Sequence, residues 1–137
     1  MHGFGDYASR YGYLAQHYSK LGYDFVGLDS AGFGRSEGDR GIVYSEERYL
    51  EDYLNHIDMV EKNYGGPNVP KFILGYSLGG QMSAKVANNT SVNLNGVAFL
   101  SPYFGLRMRW QEKLYTRMLG PAKKYLVKDP KKRFPIP

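Results

Sequence analysis

The sequence contains no cysteine, which excludes a disulfide framework, a cysteine nucleophile and any thiolate metal site. It is compatible with the cytosol. No run of about 18 apolar residues occurs, so no segment has the length and apolarity of a membrane-spanning helix. The first residues hold neither the basic region nor the apolar stretch of a targeting segment. Histidine is scarce, with only His2, His17 and His56, and none lies beyond residue 56. Acidic residues nearly vanish from the last part of the chain. Residues 1–102 carry a net −3, whereas residues 103–137 carry +8 and hold only Glu112 and Asp129 as acids.

What is present is globular. The 137 residues make one domain's worth of chain, 42% hydrophobic and 23% charged, which is enough apolar material for a core and too little charge for disorder. Apolar residues recur every three or four positions over 7–21 (Tyr7, Tyr11, Leu14, Ala15, Tyr18, Leu21), predicting a helix that Gly22 closes. The same period over 45–64 (Leu50, Tyr53, Leu54, Ile57, Val60, Tyr64) predicts a second, stopped by Gly65-Gly66-Pro67. Short apolar runs at 23–28, 71–77 and 94–101 predict buried strands, and residues 78–89 a small-residue helix. Residues 29–41, with Gly32, Gly34, Gly38 and Gly41, predict a loop in which Asp29 caps backbone amides. Helix and strand thus alternate, the pattern of an α/β fold with a mostly parallel sheet and flanking helices. Beyond Pro102, Leu106, Trp110, Leu114 and Met118 fall four apart among arginines and lysines, predicting a basic amphipathic helix. The division expected is therefore a core at 1–102 and a basic segment at 103–137.

Chemistry enters at Gly75-Tyr76-Ser77-Leu78-Gly79, a G-x-S-x-G that follows an apolar strand and opens a helix. A serine on a sharp strand-to-helix turn projects its hydroxyl above the sheet. Gly75 and Gly79 leave room for the turn, and Gly80 lets the helix pack close. The helix N-terminus adds a favourable dipole beside the reacting carbon. His2-Gly3-Phe4-Gly5 precedes the first helix. Such a loop and the residue after the nucleophile each supply an N–H to an oxyanion hole, here those of Phe4 and Leu78. One such donor is worth about 2.7–4 kcal/mol.

With HGFGDYASRY, the D-x-x-G-x-G-x-S-E-G turn, GYSLGG and the FLSP strand end in order and spacing, residues 2–103 resemble the monoacylglycerol lipase, serine aminopeptidase and lysophospholipase-like group of the α/β-hydrolases. The resemblance implies a partial α/β-hydrolase fold and a serine esterase or lipase with Ser77 as nucleophile. It implies an acyl ester or lipid substrate, no metal or organic cofactor, and His2 and Gly3 in the oxyanion loop, where the family uses the histidine to hold backbone. It also implies that residues 103–137 begin a lid suited to a lipid surface.

The family's triad runs serine, aspartate, histidine along the chain, but no histidine follows Ser77 here. In the family a strand leads into the His-Gly loop, and its place would be upstream of Met1. The expectation is a fragment of one fold, folding poorly and nearly inactive alone. Two other readings stand beside it. One is a non-catalytic member binding lipid or a protein partner. The other is a nucleic-acid patch at 103–137, with Trp110, Tyr115 and Tyr125 interleaved, ranked last for want of a nucleic-acid fold signature. Acyl length, head group and oligomeric state stay open. Location is open too, with a cytoplasmic or membrane-peripheral place favoured.

Overall fold

The computed structural model describes residues 1–66 and 68–105. The predicted basic helix and tail at 106–137 lie outside the described residues, as does Pro67. Among the described residues no helix is long and apolar enough to cross a membrane. The first compact unit of the chain is Met1–Phe104.

A 3-10 turn, Ala8–Tyr11, leads into helix α1, Gly12–Lys20. Tyr7 is extended and outside the helix. The helix ends as its sequence predicts. Gly22 has φ +83°, its N–H donates to Ser19 O at 3.0 Å, and the Tyr23 N–H reaches back to Tyr18 O at 3.1 Å. This pair of bonds needs the left-handed residue that glycine supplies without a Cβ penalty. No residue of α1 is fully buried, so its tyrosine stripe is only partly covered.

Helix α2, Glu46–Tyr64, opens at Ser45, whose Oγ accepts from the Arg48 N–H at 3.1 Å. Its inward residues are Tyr49 and Tyr53, and they form the main core with Ile73, Met82 and Val86. Strand β1, Phe72–Tyr76, leads through Ser77 into helix α3, Leu78–Ala87. Strand β2, Gly96–Leu100, pairs with β1 in parallel, with Ile73 opposite Val97 and Gly75 opposite Phe99. The β1–α3–β2 crossover is the unit that a parallel pair requires. Glu46 ties α2 to α3, accepting from Gln81 Nε2 at 2.9 Å and pairing with Lys85 Nζ at 3.0 Å.

Two expectations are corrected. Residues 23–28 are not a buried strand. A strand exists only through its ladder, and among the described residues nothing pairs with this segment. It is held by side chains instead, with Phe25 stacked on Tyr18 and Tyr23 edge-on to Phe72. The two strands that do form are not buried on both faces either. Ile73 and Gly75 turn inward toward α3, whereas Phe72, Tyr76 and Leu100 remain exposed.

One further backbone contact joins the sheet. The Met1 amino group donates to Leu74 O at 2.6 Å, and Met1 O accepts from the Tyr76 N–H at 3.0 Å. Residue 1 therefore brackets Gly75 in the pattern of a parallel bridge, which seats the His2-Gly3 loop at the carboxyl end of β1.

Candidate active site

Ser77 sits where β1 becomes α3, with φ 51° and ψ −116°. An L-residue pays about 1–3 kcal/mol for such a conformation, which persists only where its surroundings over-determine it. Here they do. The Ser77 N–H donates to Leu100 O at 3.0 Å, and Ser77 O accepts from Gly80 N at 2.9 Å and Tyr103 N at 2.9 Å. The turn is thus clamped by the end of β2 as well as by its own helix. Ser101, at φ 43°, is a second left-handed residue on that side, which the sequence alone did not disclose. The Ser77 hydroxyl makes no capping bond to α3.

The glycines behave as the motif requires. A Cβ on Gly75 would overlap Ser83 Oγ and lie 2.7 Å from Gly79 O. One on Gly79 would overlap Met1 O and lie 2.5 Å from His2 O, so this glycine is where α3 meets the N-terminal loop. Gly80 has Pro102 as its close neighbour, with Cβ 2.8 Å from the would-be methyl. The same argument places Gly3, whose Cβ would stand 3.2 Å from Ser77 Cβ. The His2-Gly3 loop therefore lies directly against the elbow. Phe4 is exposed, its ring edge-on to buried Phe33 at 5.3 Å. None of the hydrogen bonds among the described residues ends on the N–H of Phe4 or of Leu78.

His2 is buried and fully engaged. The Ser30 N–H donates to its Nε2 at 3.0 Å, and its Nδ1 lies 2.8 Å from Gly3 O. A backbone N–H can only donate and a carbonyl can only accept, so the imidazole is neutral with its proton on Nδ1. Burial pushes its pKa below the ordinary histidine value and the Met1 ammonium adds to this. The Gly3 carbonyl, Asp6 and Asp29 pull the other way. His17 is exposed on α1 and His56 half-buried on α2.

The glycine-rich turn is built around Asp29. Its carboxylate accepts from Ala8 N at 2.5 Å and from Arg35 N at 2.8 Å, and Ser36 Oγ donates to its carbonyl at 2.5 Å. Burial opposes the charge on Asp29, but the two amide donors outweigh it and hold the carboxyl below its usual range. Gly34, at φ +50°, lies so close that a Cβ would overlap that carboxylate.

Sequence reasoning missed Asp6, Ser30 and Tyr53. Asp6, just after the His-Gly loop, is buried and accepts from the Tyr11 hydroxyl at 2.5 Å and the Tyr7 N–H at 3.0 Å. Ser30 lay inside a turn read for its glycines and Asp29, and Tyr53 inside a helix read only for its apolar period. Among the described residues no group of histidines and acids is placed to hold a metal ion.

A strained serine between a parallel strand and a helix is the nucleophile elbow of α/β-hydrolases. Residues 1–134 match the family described as serine aminopeptidase, S33. The chain belongs to this α/β-hydrolase family. It is 37% identical over 101 residues to a monoglyceride lipase of Rattus norvegicus, an alignment covering 74% of this chain and 33% of the relative. It is 32% identical over 79 residues to a monoacylglycerol lipase of Mycolicibacterium smegmatis, covering 58% of this chain and 28% of the relative. Against the crystal structure of Paleococcus ferrophilus monoacylglycerol lipase the TM-score is 0.65 at 24% identity, covering 95% of this chain and 56% of the other. That likeness shows the fold. The chain spans about a third of the length of the rat relative it matches.

Proposed function

We propose that this chain carries the nucleophile and the oxyanion hole of a serine hydrolase acting on a carboxylic ester of a monoacylglycerol or lysophospholipid type. The observation that carries the reading is Ser77 itself, held at φ 51° between β1 and α3 with no capping bond from its hydroxyl to the helix. The monoacylglycerol part of this reading is supported by the names of the lipase relatives.

In this reading Ser77 Oγ attacks the ester carbonyl, the Oγ–C bond forms, and the carbonyl oxygen becomes an oxyanion held by the N–H groups of Phe4 and Leu78. The α3 dipole points its positive end at that charge. The tetrahedral intermediate then collapses, the C–O bond to the leaving alcohol breaks, and water later releases the fatty acid. Both proton transfers call for a base. His2 does not serve, because both ring nitrogens are bound, and no histidine follows Ser77 in the family's order. Without a base, catalysis falls to the roughly 10³–10⁴-fold that binding and an oxyanion hole supply alone. The +8 net charge of residues 103–137 would suit an anionic lipid surface.

A second reading is a hydrolase-fold protein that binds a lipid or a protein partner without turning anything over. Acyl transfer separates the two. Incubation with a nitrophenyl ester is expected to leave an acyl group on Ser77, visible by intact mass. Loss of that adduct in Ser77→Ala supports the hydrolase reading. Lipid binding with no adduct on Ser77 favours the second. Rapid, Ser77-dependent turnover by the pure chain would show that a base is present after all.

A further inference from the structure

We propose that Tyr53 and Ser30 are positioning residues that set the direction of the Phe4 N–H by acting through His2, an inference that rests on Phe4 being an oxyanion donor. The atoms form one buried line. The Tyr53 hydroxyl lies 2.8 Å from Ser30 Oγ, the Ser30 N–H donates to His2 Nε2 at 3.0 Å, and His2 Nδ1–H donates to Gly3 O at 2.8 Å. Gly3 O and the Phe4 N–H belong to the same peptide unit. In a trans peptide they point in opposite directions, so whatever holds the carbonyl aims the N–H. Gly3 O is held twice, by His2 and by the Asp6 N–H at 3.2 Å.

The line starts from a rigid place. Tyr53 belongs to the main core with Ile73, Met82 and Val86, and Tyr53, Ser30 and His2 are 1%, 1% and 2% exposed. At the other end, Gly3 is packed on Ser77. The helix α2 core is thereby connected to the loop beside the nucleophile by three hydrogen bonds, none of them open to water. Water cannot replace a lost partner here, so removing one hydroxyl is felt along the line. The ordinary alternative is that the Tyr53–Ser30 pair only satisfies two buried hydroxyls. In that case the imidazole and the Phe4 amide would not respond to its loss.

The test is nuclear magnetic resonance on the full chain. In the parent protein His2 is expected in the Nδ1–H form, read from its ring nitrogen shifts. In Tyr53→Phe the His2 Nε2 shift should move as the Ser30 N–H···Nε2 bond loosens, and the Phe4 amide shift should move with it, because the carbonyl of its peptide unit is held less firmly. Exchange at Val86 serves as the control for the fold. Ser30→Ala should reproduce both changes, and the double variant should add nothing further. Should Tyr53→Phe fail to fold, Ser30→Ala decides. A parent His2 in the Nε2–H form overturns the proposal, and so does a folded variant with unchanged His2 and Phe4 signals. Because these signals do not depend on acylation, absence of an acyl group on Ser77 would count against the hydrolase reading while leaving this line of bonds intact.

Discussion

Gly75 of β1 and Ser83 of α3 approach so closely that a Cβ on the glycine would overlap the serine Oγ. Ser83 is itself committed, donating to Gly79 O at 2.7 Å, and the backbone of Gly80 stands only 2.8 Å from the same would-be Cβ. The strand and the helix can meet at the elbow only because one of them lacks a side chain there. Gly75→Ala is therefore expected to destabilise the fold by about 1–3 kcal/mol, the usual cost of overpacking. Urea unfolding measures this. Combining it with Ser83→Gly should recover only part, since the remaining obstacles are backbone.

The left-handed serine supports the opposite kind of prediction. Ser77 at φ 51° carries strain that glycine does not. Ser77→Gly should raise stability by up to about 1–2 kcal/mol while abolishing acylation, whereas Ser77→Ala should abolish acylation with no such gain. A higher urea midpoint for the glycine variant alone checks this.

Protonation of His2 should weaken the fold. Its native pKa lies below the ordinary value, chiefly through burial, so the unfolded chain binds the proton more readily. Its contribution is fully present above about 6.5 and is lost as pH falls below that value. Burial lowers His56 likewise and brings the Met1 α-amino group to about 6, so both slope the same way. His2→Asn should flatten the dependence of the urea midpoint between pH 7.5 and 5 without abolishing it. Asp29 adds a separate loss at lower pH, as its carboxyl, held below the usual range, becomes protonated.

Ser45→Ala removes the acceptor for the Arg48 N–H at the start of α2. A loss of about 0.5–2 kcal/mol is expected in the same unfolding assay.

Much of this was legible in residue order. The helix over 45–64, the strand at 71–77 and the elbow at Ser77 follow from local signals, namely a 3.6-residue period, an apolar run and a glycine pattern. Residues 23–28 did not, because an apolar run states that a segment is fit to be a strand and not that a neighbour is there to pair with it. The start of the first helix was misplaced because the apolar period does not separate the 3-10 turn at Ala8–Tyr11 from the α-helix that follows it. The Tyr53–Ser30 contact was invisible because periodicity treats a tyrosine as an apolar mark and ignores its hydroxyl.

The central claim is that Ser77 is the reactive nucleophile of an oxyanion-forming site. Intact-mass and peptide mapping after treatment with an alkyl fluorophosphonate tests it most directly. The account predicts one phosphonyl group per chain, formed slowly, located on Ser77 and absent from Ser77→Ala. A label that is missing, or that falls equally on Ser77→Ala, would contradict it.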